Sequence, residues 1–282
     1  MKIIFFGTPN FVLPIPQALL EAGFEIAAVV TRVDKPVGRK QVLTPSPVKL
    51  WAQKHQIPIL APSKFDDNFR FSILDFSSDI GILTAYGQII PQGIIDLFPK
   101  GMLVVHPSLL PKYRGASPVQ ASILAGDKET GVSIIKMDAE MDHGPIVAQL
   151  TEDIKPDDTP ASLYDRLFKK SAESLVSILP DYLEGKIKLC EQDHSQATYT
   201  KILKKEDGYF SIDNPPPQDQ LERSIRAYHP WPNVWTRWQG KIIKFYPEKM
   251  IQMEGKKPVK LKDFLNGYPN FPFKSLLHIF FA

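Results

Sequence analysis

The sequence predicts an α/β protein: a mostly parallel sheet with helices on both faces, followed by a small β-rich part toward the C-terminus. Three observations lead there. Strand and helix signals alternate through the first half of the 282 residues. The strand segments are nearly continuous apolar runs, as strands covered on both faces must be. Beyond residue 230 the alternation gives way to strand, tight turn and strand.

The elements follow in order. KIIFF (Lys2–Phe6) is a strand closed by Gly7, and a helix pattern runs through Ala18, Leu19, Leu20 and Ala22 to Gly23, with Pro14 and Pro16 near its start. Glu25–Thr31 is the second strand, Val48–His55 a helix and IPIL a short strand. Asp79–Gly87 reads as a strand leading into helical IIPQGIIDLF, and GMLVVH as a strand before the helix SPVQASILAG. Val132–Asp138 and Pro145–Ile154 are strands. Thr159–Leu183 is a long amphipathic helix, with Thr159 as N-cap and Pro160 in the first turn. A short helix at LERSIRAY precedes a hairpin, VWTRWQG with KIIKFYPEKMI, turning at Gln239-Gly240.

A chain of this length exceeds most single cores, and the expected division is 1–190, a polar linker over 191–208, and 209–282. Net charge is +3, which permits a nucleic-acid partner without demanding one. Cys190 is the single cysteine; this excludes an intramolecular disulfide and a cysteine-rich zinc site, and suits a reducing cytoplasm. The apolar start MKIIFFGTPNF is too short to span a bilayer and lacks a cleavage site, and the apolar end SLLHIFFA reads as a packed terminus.

In open parallel sheets ligands bind beyond the carboxyl ends of the strands, so residues just after strands carry the functional information. Gly7-Thr8-Pro9 lacks both dinucleotide and Walker patterns and reads as a plain turn. His106 ends an apolar strand beside the rigid segment PSLLP; it is either a satisfied core histidine or a catalytic one. MDAEMDHGPIV (Met137–Val147) gathers Asp138, Glu140, Asp142 and His143 in one loop. The loop is a solvated acidic turn, or it sets a carboxylate against His106 that keeps the imidazole protonated as an acid. A metal site ranks below both, because no second histidine stands at helical spacing. Thr31–Lys49 is long, basic and bracketed by prolines: a solvated flap, or phosphate contacts from Arg32, Lys35, Arg39 and Lys40.

Beyond these readings, the chain resembles the methionyl-tRNA formyltransferases along almost its whole length. The matching stretches are FFGTPNF, DKPVGR with PSPVK, AYGQIIP, HPSLLPKYRGASP, GDKETGVSI, MDAEMDHGPI, LERSIRAYHPWP and KDFLNGY, in that order. The resemblance implies a Rossmann-like catalytic domain and a C-terminal OB-like domain that holds tRNA. It implies that the α-amine of methionine on initiator tRNA attacks the formyl carbon of 10-formyltetrahydrofolate, the co-substrate. It casts His106 as acid and oxyanion donor, and Asp142 as the carboxylate that orients the imidazole and shuttles protons. Ser108, Leu109, Leu110 and Pro111 match the folate-binding segment, and Tyr86 and Gly87 wall the pterin pocket. Arg39, with Lys40, matches the basic loop that engages the acceptor end; Lys205 and Arg226 either help build a tRNA face or belong to a scatter of solvated charges, and Arg226 is alternatively a brace between the domains. No metal and no membrane are implied, and a monomer is expected.

The sequence departs from the family in two places. Asparagine normally stands two residues before the histidine, and here that position is Val104. Valine has no donor for the developing oxyanion; losing one such donor costs roughly 100- to 1,000-fold in rate. A replacement donor, a slow enzyme and a chain that has lost the reaction are the three accounts. The second departure is the tail, which passes from its hairpin almost directly to KPVKLKDFLNGY, so the barrel reads as short of strands. Rival functions are an amino-sugar nucleotide N-formyltransferase, a non-catalytic folate- or tRNA-binding homologue, and a hydrolase releasing formate.

Overall fold

In a computed structural model of the chain, the described residues are 1–38 and 40–272. Arg39 and the apolar segment 275–282 lie outside them.

Strand β1 is Lys2–Phe6. A 3-10 turn at Asn10–Val12 leads into helix α1, Pro14–Glu21, where a first-turn proline costs no helical hydrogen bond. Strand β2 is Glu25–Val30. The basic segment after it carries a short antiparallel hairpin, β3 (Lys35–Val37) with β4 (Val42–Thr44). Helix α2, Pro47–Lys54, is capped by the Ser46 hydroxyl, which accepts the Lys49 N–H at 2.9 Å. Then come β5 (Ile59–Leu60), α3 (Asp67–Leu74, capped by Asp66), β6 (Ile80–Leu83), α4 (Gln92–Ile95), β7 (Met102–His106) and β8 (Arg114–Gly115). Helix α5 is Pro118–Ala125 and stops at left-handed Gly126. Strands β9 (Glu129–Lys136) and β10 (Ile146–Asp153) precede the long helix α6, Pro160–Leu183. The rest is β11 (Tyr199–Thr200), α7 (Gln218–Ala227), β12 (Val234–Trp238), β13 (Lys241–Tyr246), β14 (Met250–Met253), β15 (Val259–Lys260) and α8 (Leu261–Gly267).

The described chain forms two compact units. The first combines Met1–Arg114, Gly131–Glu152 and Tyr164–Tyr199; the second combines Gly115–Thr130, Asp153–Leu163 and the chain from Thr200 onward. The main sheet has seven strands in the order β10-β9-β7-β6-β1-β2-β5. From β7 to β5 neighbouring strands pair in parallel, and β9 runs antiparallel to β7. The apolar runs read as strands are fully enclosed: Ile3, Ile4, Phe5 and Phe6 of β1 all have 0% exposure. Each such side chain contributes about 1.5–3 kcal/mol by leaving water, which explains why these segments were readable as buried strands.

The antiparallel β9 corrects one expectation. Lys136 at its end pairs with Leu103 near the start of β7, and the Met137 N–H donates to the Met102 carbonyl at 2.8 Å. The Met137–Val147 segment therefore leaves the sheet at the amino end of β7, and it returns to bring Asp142 to His106 at the carboxyl end.

The tail of the second unit is richer in strands than the sequence pattern indicated. KIIKFYPEKMI breaks at Pro247, with Glu248 and Lys249 both at φ 59, so β13 and β14 are separate strands. The result is a four-stranded sheet, β12-β13-β14-β15. Its buried face packs on Leu221 and Ile225 of α7 and Leu261 and Phe264 of α8.

Candidate functional site

Residues alternate sides along a strand, so Val104 and His106 of β7 share a face. His106 is 5% exposed. Its Nε2 lies 3.0 Å from the Tyr113 carbonyl oxygen. A carbonyl only accepts, so Nε2 carries the hydrogen in that contact. The other ring nitrogen, Nδ1, then faces Asp142, whose Oδ2 is 3.5 Å away. That spacing is long for a direct hydrogen bond and suits an ion pair or a water shared between the groups.

The loop that delivers Asp142 is built by its neighbours. Asp138 accepts the Glu140 N–H through Oδ1 at 3.0 Å and His143 Nδ1–H through Oδ2 at 2.7 Å. Of the three loop carboxylates, Asp138 is thus spent on the turn itself, Glu140 is three-quarters exposed, and Asp142 is the one that meets His106. Asp142 sits at φ 50, a left-handed conformation that aspartate tolerates better than most residues. Gly144 closes the turn so tightly that a Cβ there would lie 1.8 Å from the Lys136 carbonyl oxygen.

The Ser108–Pro111 segment is held just as firmly. Ser108 is fully buried, and its hydroxyl donates to the Lys112 carbonyl at 2.6 Å. The Ser133 hydroxyl donates to the Ser108 carbonyl at 2.7 Å and accepts the Leu110 N–H at 2.9 Å. Gln149 Nε2 donates to the Leu110 carbonyl at 2.7 Å and to Ser133 at 2.9 Å. Leu109 lies against Gly131, where a Cβ would come within 2.5 Å of it.

Tyr86 and Gly87 follow β6. Tyr86 is 3% exposed and meets Phe6 edge-on at 5.8 Å. Its carbonyl accepts the Thr8 hydroxyl at 3.1 Å, so the Gly7-Thr8-Pro9 turn props this loop. The Tyr86 hydroxyl is buried without a hydrogen-bond partner, and burial pushes its pKa up to about 12.

Val104 is 6% exposed and packs with Leu110, Ile135, Leu83, Met137 and Ile146. None of those side chains carries a hydrogen-bond donor.

Lys40 is exposed. Lys205, in the second unit, stands 5.4 Å above the Trp235 ring while its carbonyl accepts the indole N–H at 2.9 Å. Arg226 in the same unit is half-buried, donates from Nη1 to the Asp158 carbonyl at 2.8 Å, and has its pKa pulled down by burial.

Sequence reasoning missed several groups: the Tyr113 carbonyl, Ser133, Gln149, and a buried pair, Arg114 and Gln192. Arg114 stands in the quoted KYRGASP stretch, but only its 1% exposure reveals that it is interior. Among the described residues, no group of three or more His, Cys, Asp and Glu side chains is arranged to hold a metal ion, and no helix is long and apolar enough to cross a membrane.

Comparison with known proteins adds family evidence. Residues 1–179 match the family described as Formyl transferase. The methionyl-tRNA formyltransferase of Chloroflexus aggregans is 45% identical over 245 residues, covering 86% of this chain and 79% of that one. Among solved structures, a 4-N formyltransferase from Francisella tularensis superposes with TM-score 0.68 at 19% identity, over 88% of this chain and 98% of that one. HypX from Aquifex aeolicus in complex with tetrahydrofolic acid gives TM-score 0.67 at 15% identity, over 98% of this chain and 48% of that one. At such identities the two structures speak for the fold.

Proposed function

This chain belongs to the formyl transferase family, and on that premise we propose that it formylates the α-amine of methionine carried by initiator tRNA, with 10-formyltetrahydrofolate as donor. The observation that carries the reading is the His106–Asp142 pair, Nδ1 to Oδ2 at 3.5 Å, beside the fixed Ser108–Pro111 segment.

In the reaction a C–N bond forms between the amine and the formyl carbon, and the bond from that carbon to the folate nitrogen breaks. One proton leaves the amine and one reaches the folate nitrogen. His106 is the group that handles them. Its Nε2–H is tied to the Tyr113 carbonyl, so Nδ1 is the nitrogen that takes up and returns a proton. Asp142 stabilises the imidazolium formed when Nδ1 is protonated and relays protons through the gap between them. Val104 supplies no donor to a developing oxyanion, so turnover is lower than an asparagine at that position would give.

Features of the chain support folate binding beside this pair. The backbone of Ser108 and Leu110 is locked by Ser133 and Gln149, and Tyr86 walls the pterin pocket in this reading from a buried position edge-on to Phe6. Gly87, left-handed at φ 88, shapes the same wall in this reading. Arg39 and Lys40 engage the tRNA acceptor end, and Lys205 and Arg226 are the contacts of the second unit, Arg226 from a fixed position on the Asp158 carbonyl. The reading carries with it a catalytic part over 1–190, a linker over 191–208, a tRNA-holding part from 209, and a monomer at work in the cytoplasm.

The test is direct. Purified protein is given 10-formyltetrahydrofolate with methionyl initiator tRNA, and in parallel with a nucleotide-linked amino sugar. Formyl-methionine on the tRNA supports the proposal. Formylation of the sugar alone, or release of free formate alone, overturns it.

A further inference from the structure

Asp142 reaches His106 from a loop rooted at the far end of β7, and nothing in regular secondary structure holds it there. The structure points to one buried side chain that does. Gln192 is 5% exposed. Its Nε2 lies 2.9 Å from the Asp142 carbonyl oxygen, 3.0 Å from that of His143 and 2.7 Å from that of Gly144. An amide nitrogen carries two hydrogens, so three successive carbonyls share them. For three consecutive carbonyls to converge on one atom the chain must curl around it, and that curl includes the left-handed Asp142.

Gln192 is itself fixed from behind. Its Oε1 accepts from Arg114 at 2.7 Å, and the same Arg114 nitrogen lies 2.8 Å from His194 Nδ1. The His194 ring stacks on His143 at 4.0 Å, almost parallel at 3°. The backbone is registered as well: Cys190 and Ile146 exchange both of their hydrogen bonds, at 2.7 and 2.9 Å. The amide therefore stands at a set height over the loop. The guanidinium also decides which way it faces, because a cation requires the amide oxygen and turns the nitrogen toward the carbonyls.

We propose that Gln192, oriented by Arg114, is a positioning residue that holds the Asp142 carboxylate against His106. This rests on the reading of Asp142 as the working partner of His106. Gln192 bonds Arg114 and the loop backbone rather than the imidazole, so its effect passes through Asp142, and that makes it testable by coupling.

The experiment is a double-mutant cycle on the full chain with Asp142→Asn, Gln192→Leu, Gln192→Glu and the two combinations, measured by single-turnover formylation. Gln192→Glu keeps the shape and the acceptor for Arg114 and removes the donor. Expected are a 10- to 100-fold loss of rate on the order of a misplaced catalytic group, KM for tRNA within about threefold of wild type, and no further loss in the combinations beyond Asp142→Asn alone. A second readout does not depend on turnover: the imidazole nitrogen NMR signals of His106. Either Gln192 variant reproduces the change that Asp142→Asn makes in those signals. Losses that multiply in the combinations, or His106 signals left unchanged by the Gln192 variants where Asp142→Asn alters them, sink the proposal. If Asp142→Asn itself changes neither rate nor signals, the prior reading of Asp142 has failed, and that outcome is distinct from a failed coupling.

Discussion

Replacing Val104 with asparagine puts a hydrogen-bond donor on the face of β7 that carries His106, two residues away along the strand. The gain and the cost are both calculable. A donor aimed at a developing oxyanion is worth about 2.7–4 kcal/mol, or roughly 100- to 1,000-fold in rate. The cost arises because Val104 is 6% exposed in a cluster of Leu110, Ile135, Leu83, Met137 and Ile146 that offers an amide no side-chain partner. Burying an amide without a partner costs about 1–3 kcal/mol. Val104→Asn therefore unfolds at lower denaturant in the absence of ligand, and formylates faster when both substrates are bound. Val104→Ala separates the two effects: it opens space and loses stability without adding a donor. The assay is single-turnover formylation of methionyl-tRNA, paired with urea unfolding of each variant. An asparagine variant that is folded under assay conditions and turns over no faster than the valine protein refutes the donor-loss reasoning, and means that another group already serves the oxyanion.

Three further outcomes are expected. Tyr86→Phe removes a buried hydroxyl that has no partner and meets no solvent, so the protein keeps or gains up to about 1–3 kcal/mol while folate binding is unchanged; thermal unfolding and calorimetric titration read the two. Glu152 is pushed upward by burial, yet hydrogen bonds from Arg166 at 2.8 Å and Lys170 at 3.0 Å outweigh this and hold its pKa below the ordinary 4.5. A depressed carboxylate stabilises the fold above its unfolded value and loses that contribution as pH falls through the folded one. Glu152→Gln thus costs about 1–3 kcal/mol at neutral pH, and the difference from wild type shrinks below pH 4.5 in acid-unfolding series. Binding of tRNA weakens steeply with salt, and Lys205→Ala lowers the magnitude of the log–log slope by about 0.7–0.9, one phosphate contact's worth, in filter-binding titrations.

What could be read from the sequence follows from how each segment is stabilised. Strands β1, β2, β6 and β7 were visible because burial demands apolar residues at nearly every position. Strands β3 and β4 were not: Lys35–Val37 and Val42–Thr44 are exposed apart from half-buried Thr44 and are held by their mutual ladder, so no apolar pattern marks them. Strand β14 was fused to β13 because the apolar alternation runs straight through Pro247, while Glu248 and Lys249 adopt a positive φ without the glycine or asparagine that usually signals it. At the site, composition gathered the acidic loop near a histidine but could not choose among its carboxylates. The choice is made by Asp138, which turns inward to His143 and leaves Asp142 for His106. Gln192 lies in a polar run that read as a linker, and its only mark is a set of contacts about 50 residues away in sequence.

The antiparallel turn of β9 links these observations. Were β9 parallel to β7, its following loop would emerge beside His106 and a carboxylate there would need no special support. Because Lys136 pairs with Leu103, the loop instead starts three residues short of His106, about 10 Å at strand rise. It must double back over the sheet face to bring Asp142 to the imidazole. Met137, at the root of the loop, packs in the apolar cluster of Val104 and Ile135. Direction comes from Asp138, which fixes the turn through the Glu140 N–H and His143, and from the three loop carbonyls that converge on Gln192. The apolar cluster gives an amide at position 104 no side-chain partner, so a donor there serves the oxyanion while the Gln192 clamp serves Asp142. It follows that Gln192→Leu costs the same factor of turnover in the valine protein and in a Val104→Asn background. A smaller loss in the asparagine background would show that residue 104 also holds the loop.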